Sequence, residues 1–180
     1  MSKNEYYTAL TQADSFLDRE KLVHKYSWAI PNNEALNIIA KYAPIVEIGA
    51  GLGYWAFLLR ERGVVIRAFD NKTYMSKSRP LKEWTKVKWG DPSILKKYPD
   101  YTLFLCWPPY ATKMASCCLN YYRGKTVIYI GEGDWGCTAN DTYHKKLEKQ
   151  FKCIMTAKIP QWFGLHDYLS VWERITKQGV

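Results

Sequence analysis

The chain has 180 residues, of which 47% are apolar, and no uninterrupted apolar run nears the roughly 20 residues that span a bilayer, so a membrane-spanning helix is excluded and one globular domain is expected. Five cysteines, with Cys117 and Cys118 adjacent and no C-x-x-C spacing, argue against a disulfide framework, and with three scattered histidines no metal is expected. The net charge of +9 favours an anionic partner such as nucleic acid.

The polar start, Met1 to Glu5, leads into no apolar signal core, which predicts a cytoplasmic or nuclear location. Leu10, Ala13 and Leu17 recur at helical spacing, with Phe16, Leu22 and Val23 as further apolar positions, and predict a helix from Leu10 to Lys25. The segment Tyr26 to Pro31 is extended, because the residue before a proline is pushed out of helical geometry. Asn32 or Asn33 then caps a helix over Glu34 to Tyr42. These first 42 residues are expected to form a helical cap, with Trp28 either at the mouth of a ligand site or in the core.

Ile45, Val46 and Ile48 form a short β-branched run of the kind that is buried on both faces of a sheet. Gly49, Gly51 and Gly53 end it, and the helix-like run Tyr54 to Gly63 follows. Glycine is needed where φ is positive or where a ligand must lie against the backbone, so three at alternate positions predict a nucleotide-sized ligand on the turn. A dinucleotide fingerprint, G-x-G-x-x-G, would need its third glycine at position 54, which is Tyr54. The spacing is instead Glu47-x-Gly49-x-Gly51-x-Gly53, followed by a strand over Val64 to Phe69 that ends in Asp70, a carboxylate placed for two ribose hydroxyls. This pairing resembles motif I and the second strand of the class I S-adenosylmethionine (SAM) dependent methyltransferases. The resemblance implies SAM as cofactor, with Glu47 ordering the site around its methionine ammonium and the glycines cradling it. Ala50, Asn71, Cys106 and Trp28 complete the cofactor side that it implies.

Between Asn71 and Asp100 stand eight Lys or Arg against three acidic residues, with Trp84 and Trp89 among them. Such a stretch (72–97) suits phosphate contacts combined with base stacking. No second crossover helix is evident there. Val87 to Asp91 reads as an edge strand, and Pro92 to Tyr98 as a helical turn. Asp91 matches the family's adenine-contacting acidic residue and would serve equally as a helix cap.

Thr102 to Cys106 is a buried strand running into Trp107-Pro108-Pro109-Tyr110. Two prolines at the carboxyl end of a central strand fix the backbone where an open α/β sheet binds ligands. The stretch resembles motif IV of amino-methyltransferases, [Asp/Asn/Ser]-Pro-Pro-[Tyr/Phe], which act on exocyclic amines of nucleic-acid bases and some protein amides. It implies that the Pro108 carbonyl accepts a hydrogen bond from the target amine and that Tyr110 stacks on a flat substrate, with Pro109 holding the turn. Trp107 departs from the pattern, since an indole donates but does not accept, and Glu132 is the nearest substitute acceptor.

Met114, Ala115, Cys118 and Tyr122 share one face of a helix over Ala111 to Tyr122. Thr126 to Ile130 is the next strand, opening into the Gly-rich loop that carries Glu132 and Asp134. Asn140 or Asp141 starts a helix to about Phe151, and Cys153 to Ile159 and Tyr168 to Ile175 form an antiparallel pair. Trp162, His166 and Asp167 fall in the loop between them. The whole matches the class I methyltransferase architecture over residues 43–180, a seven-stranded, mostly parallel sheet of order 3-2-1-4-5-7-6 with a C-terminal antiparallel hairpin. The resemblance implies methyl transfer, with a base amine of nucleic acid as the leading acceptor. A small aromatic molecule, a protein side chain, or an inactive SAM-fold binding subunit remain alternatives, and a partner protein for target recognition is open.

Overall fold

Alternation of β-branched strands with amphipathic helices produces a sheet buried on both faces, and the computed structural model of the protein, which describes residues 4–10, 16–73, 82–110 and 112–176, has this form. The elements are α1 (Glu5–Leu10), α2 (Phe16–Lys25), α3 (Asn33–Ala40), β1 (Ile45–Ile48), α4 (Tyr54–Arg60), β2 (Ile66–Asp70) and β3 (Lys88–Trp89). They continue as a 3-10 helix (Pro92–Lys97), β4 (Thr102–Cys106), α5 (Met114–Tyr121), β5 (Thr126–Gly131), α6 (Asp141–Gln150), β6 (Phe151–Lys158) and β7 (Tyr168–Arg174). The sheet runs β3-β2-β1-β4-β5-β7-β6, with β5–β7 and β6–β7 antiparallel and the other pairs parallel. This is the expected Rossmann-like methyltransferase sheet.

Successive residues of each strand feed opposite layers. Ile45, Phe104, Ile128 and Val171 pack with α3, α4 and the N-terminal residues Tyr6, Val23 and Tyr26. Val46, Leu103, Leu105 and Val127 pack with α5, α6 and Phe151. Caps fix the helix starts as the sequence suggests: the side chain of Asn32 accepts from Ala35 N, that of Asn140 from Tyr143 N and that of Asp91 from Ser93 N.

Two expectations change, and a third is described in part. Of the helix expected over Leu10 to Lys25, α2 covers Phe16–Lys25 and residues 11–15 lie outside the described set, while α1 comes before it. The helix expected from Ala111 begins at Met114, because the Pro-Pro turn and the Thr112 hydroxyl, which donates to Pro109 O, occupy the chain before it. Trp84 is not an open stacking platform: its indole N–H donates to Lys25 O at 2.7 Å and its ring stacks on Tyr26, 5.2 Å away and 20° from parallel. That ring fastens the end of α2 to the body instead. Lys77 and Arg79 of the basic stretch fall outside the described residues.

Tyr122, fully buried, joins β4 to β5: its hydroxyl accepts from Leu103 N at 3.2 Å and lies 2.6 Å from the Thr126 carbonyl and 2.8 Å from that of Tyr101. Tyr122→Phe strands these groups in the core and should cost about 1–3 kcal/mol, read as a lower urea midpoint at unchanged slope.

Candidate active site

Positive φ values of 79°, 55° and 79° at Gly49, Gly51 and Gly53 turn the chain from β1 into α4. At Gly49 a Cβ would come 2.9 Å from the Met114 side chain, and at Gly53 2.7 Å from that of Val87, so these positions admit nothing larger. Gly49 N and Ala50 N donate to Phe69 O, and Gly51 N donates to Asp70 Oδ2 at 2.9 Å. Asp70 Oδ1 takes Lys72 N. The turn is thus strapped to the end of β2.

Beside it opens a cavity of about 610 Å³, of the size that holds a small ligand or cofactor. Among the sequence-predicted residues, Trp28, Glu47, Gly49, Ala50, Gly51, Asp70, Asn71, Asp91, Cys106, Trp107 and Pro109 line it. Gly53 does not; it serves as the left-handed residue that starts α4. The sequence did not single out Val23, His24, Trp55 or Met114 as walls. Val23 and Met114 were legible only as apolar helix positions, and their arrival here depends on how α2 and α5 dock.

Glu47 is 2% exposed, and its Oε2 has no hydrogen-bond partner among the described residues. Burial pushes its carboxyl up to about 8, opposed by Arg60 and reinforced by Asp70. An orphaned acidic oxygen on a cavity wall is the complement of a cationic or N–H-bearing ligand group. Asp70 is also raised, by burial first, against the hydrogen bonds from Lys72 and Gly51. Asp91 is exposed, caps the 3-10 helix and also lines the cavity.

The acceptor half differs from expectation. Trp107 takes a left-handed φ of 52°, a strained conformation for a bulky side chain. Its ring lies on that of Trp28, centroids 4.7 Å apart and 9° from parallel, with the Arg19 guanidinium 5.6 Å from the Trp28 ring. Its indole N–H donates to Asp167 Oδ2 at 2.7 Å. Asp167 is 1% exposed, Oδ1 is without a hydrogen-bond partner among the described residues, and burial pushes its carboxyl up to about 6. The hairpin loop singled out from sequence therefore delivers Asp167, while the His166 side chain is exposed.

Three expected acceptor-side roles are corrected. The Pro108 carbonyl accepts Ala139 N at 2.8 Å, within a β-bridge that pairs Pro109 with Thr138, and is not part of the cavity wall. Glu132 is no free acceptor: Oε2 takes Cys137 N and Oε1 takes His166 N, each at 2.8 Å. Against the cost of burial these donors hold its carboxyl below the usual range. Tyr110, 57% exposed, lies on a separate depression with Asp134, Trp135 and His144. Among the described residues no three His, Cys, Asp or Glu gather as a metal site, and no helix is long and apolar enough to cross a membrane.

No protein-family model and no curated protein sequence matches the chain. Solved structures do match in fold. The magnesium protoporphyrin IX methyltransferase ChlM from Synechocystis PCC 6803 with bound SAM superposes with a TM-score of 0.51 at 10% identity, over 95% of this chain and 90% of that one. The N-methyltransferase NodS from Bradyrhizobium japonicum WM9, in complex with S-adenosyl-L-homocysteine (SAH), gives 0.51 at 12% identity, over 96% and 99%. The glycopeptide N-methyltransferase MtfA with SAH gives 0.50 at 12% identity, over 79% and 89%. At such identities the likeness establishes a common fold, that of class I SAM-dependent methyltransferases.

Because the Glu47 carboxyl is raised from 4.5 to about 8, the folded chain binds its proton more tightly than the unfolded one. The cost of burying the charge is absent below about pH 4.5, grows as pH rises, and is complete above about 8. Glu47→Gln removes it, so denaturation across this range should show the variant gaining on the wild type as pH rises.

Proposed function

We propose that the protein is a SAM-dependent methyltransferase acting on an amino group. The observation that carries this reading is the buried, unpartnered Glu47 Oε2 on the wall of a cavity whose floor is the glycine turn and whose far edge holds Asp70. These residues fit the cofactor: Glu47 suits its ammonium, the open space over Gly51 its backbone-hugging middle, and Asp70 its ribose hydroxyls, with Asn71 and Asp91 beside them toward the adenine. SAM supplies a methyl group on a sulfonium, ready for in-line transfer. The chain's part is to align that methyl with a nucleophile and to keep water away, which needs neither metal nor covalent intermediate. Trp107 and Trp28 close the acceptor side with flat apolar rings.

Titration calorimetry with SAM tests the cofactor. Asp70→Ala should weaken binding by about 1–3 kcal/mol, the worth of hydrogen bonds to a charged group. At pH 7 the Glu47 carboxyl is neutral in the free protein and should ionise against the ammonium. The heat of binding should therefore vary with the ionisation enthalpy of the buffer, and cease to vary in Glu47→Gln. Radiolabelled SAM offered to DNA, RNA, protein and metabolite pools then identifies the acceptor; SAM binding without transfer to any pool would favour a binding subunit.

Nucleic acid is the acceptor class favoured by the exposed Lys82, Lys86 and Lys88 and by Trp89, 69% exposed on the edge strand. Binding to single-stranded nucleic acid should fall steeply with salt and weaken when the three lysines are neutralised. Equal affinity of the neutralised variant would make this a solvated basic face.

A further inference from the structure

Tyr110 belongs to a second depression, of about 380 Å³, that shares no lining residue with the large cavity. Its walls are fixed by the backbone. The bridge between Pro109 and Thr138 holds the end of the Pro-Pro turn, Gly136 N donates to Gly133 O at 2.9 Å, and the Asn140 side chain caps α6. Trp135, 97% exposed, and Tyr110 bring two rings that pack on no other aromatic ring among the described residues. In a chain of net charge +9, three carboxylates, Asp134, Asp141 and Glu148, line the depression against one lysine, Lys145. None of these four side chains makes a hydrogen bond or ion pair among the described residues.

His144 adds a buried acceptor to this exposed rim. Asp141, His144, Lys145 and Glu148 stand at i, i+3, i+4 and i+7 of α6, and so share the face turned to the depression. His144 is 8% exposed, and its Nε2 lies 3.1 Å from the Thr138 carbonyl, which can only accept, so Nε2 carries the proton. Nδ1 of the neutral ring is then a lone-pair acceptor, and it has no hydrogen-bond partner among the described residues. Ring faces, concentrated negative charge and a bare imidazole nitrogen share one complement, a cation that carries N–H groups. Phosphates are repelled by the same carboxylates, so the depression does not continue the basic face of the edge strand.

We propose that this depression binds an organic cation, an alkylammonium or guanidinium group held against the Trp135 and Tyr110 rings by Asp134, Asp141 and Glu148, with His144 Nδ1 accepting one of its N–H groups. The site stands independently of the methyl-transfer reading, because it shares no residue with the cofactor cavity.

The test uses the isotope-labelled full chain at pH 7.5 and follows the indole N–H resonance of Trp135, identified among the eight tryptophans by its loss in Trp135→Phe. The cationic probes are the Nα-acetyl N-methylamides of lysine and arginine, and spermidine; the norleucine and citrulline derivatives are the neutral counterparts, and adenosine is the stacking control. Each cationic probe should shift the resonance saturably at millimolar concentration while the neutral ones and adenosine do not, and the tightest cation tells a peptide side chain from a free polyamine. Trp135→Ala, followed at the Gly136 amide, should weaken the best cation about two- to fivefold, the worth of one exposed cation–ring contact. Asp134→Asn combined with Glu148→Gln should weaken it about three- to tenfold; Asp141 is left in place because it also sits in the first turn of α6. In His144→Gln the amide nitrogen can keep the Thr138 bond while Nδ1 is removed, and binding should again weaken. An unchanged urea midpoint shows that each variant is folded. If neutral probes or adenosine shift the resonance as the cations do, or if either the double variant or His144→Gln binds the cation as tightly as the wild type, the depression is a solvated acidic face and the inference falls.

Discussion

The hydrogen bonds from Gly49, Ala50 and Gly51 amides to Phe69 O and Asp70 Oδ2 set the geometry on which the rest of the site depends. They close the turn after β1 against the end of β2, which aims α4 back across the sheet and leaves the glycine face bare. The same contact places the Asp70 carboxylate at the cavity edge, and it does so with both oxygens already stabilised by backbone donors. A buried acid so supported needs no counter-ion to stay in position, and the polar edge of the cavity is pre-formed at little reorganisation cost.

Three carboxylates in the neighbourhood meet one of two opposite fates for physical reasons. Glu132 finds two backbone amides and becomes a clamp between loops, its charge fully spent. Glu47 and Asp167 are each left with an oxygen that has no hydrogen-bond partner among the described residues. Both are raised by burial, Glu47 to about 8 and Asp167 to about 6. Cys106 at the end of β4 senses both. An interior that keeps two such acidic oxygens has given up stability there.

The sheet order and the grouping of the glycine turn, Glu47 and Asp70 around one cavity were legible because both rest on local signals. β-branched runs, glycines at alternate positions, cap residues and a terminal Asp each constrain a few neighbouring residues, and the sequence displays them directly. The acceptor half was only partly legible. Trp107 stood out as an indole where the resemblance expects an acceptor, but its partner lies 60 residues away and reaches it through a hairpin register that no local pattern encodes. Pro108 and Glu132 were misread for the same reason: each looked free in sequence, and each is claimed by a backbone amide of a later loop. Trp84 looked like a surface ring because lysines flank it; a packing partner in the N-terminal segment overrode that local polarity.

That packing changes the meaning of the N-terminal segment. Tyr6, Tyr26, Tyr54 and Trp84 form one aromatic cluster, and Val23, His24, Tyr26, Ser27 and Trp28 around it are themselves cavity walls. The docking of the segment and the closing of the pocket are therefore a single equilibrium. Whatever fills the cavity draws the segment down by mass action, and whatever loosens the cluster loosens this wall of the pocket. A truncation meant to trim a peripheral helix would remove one wall of the binding chamber.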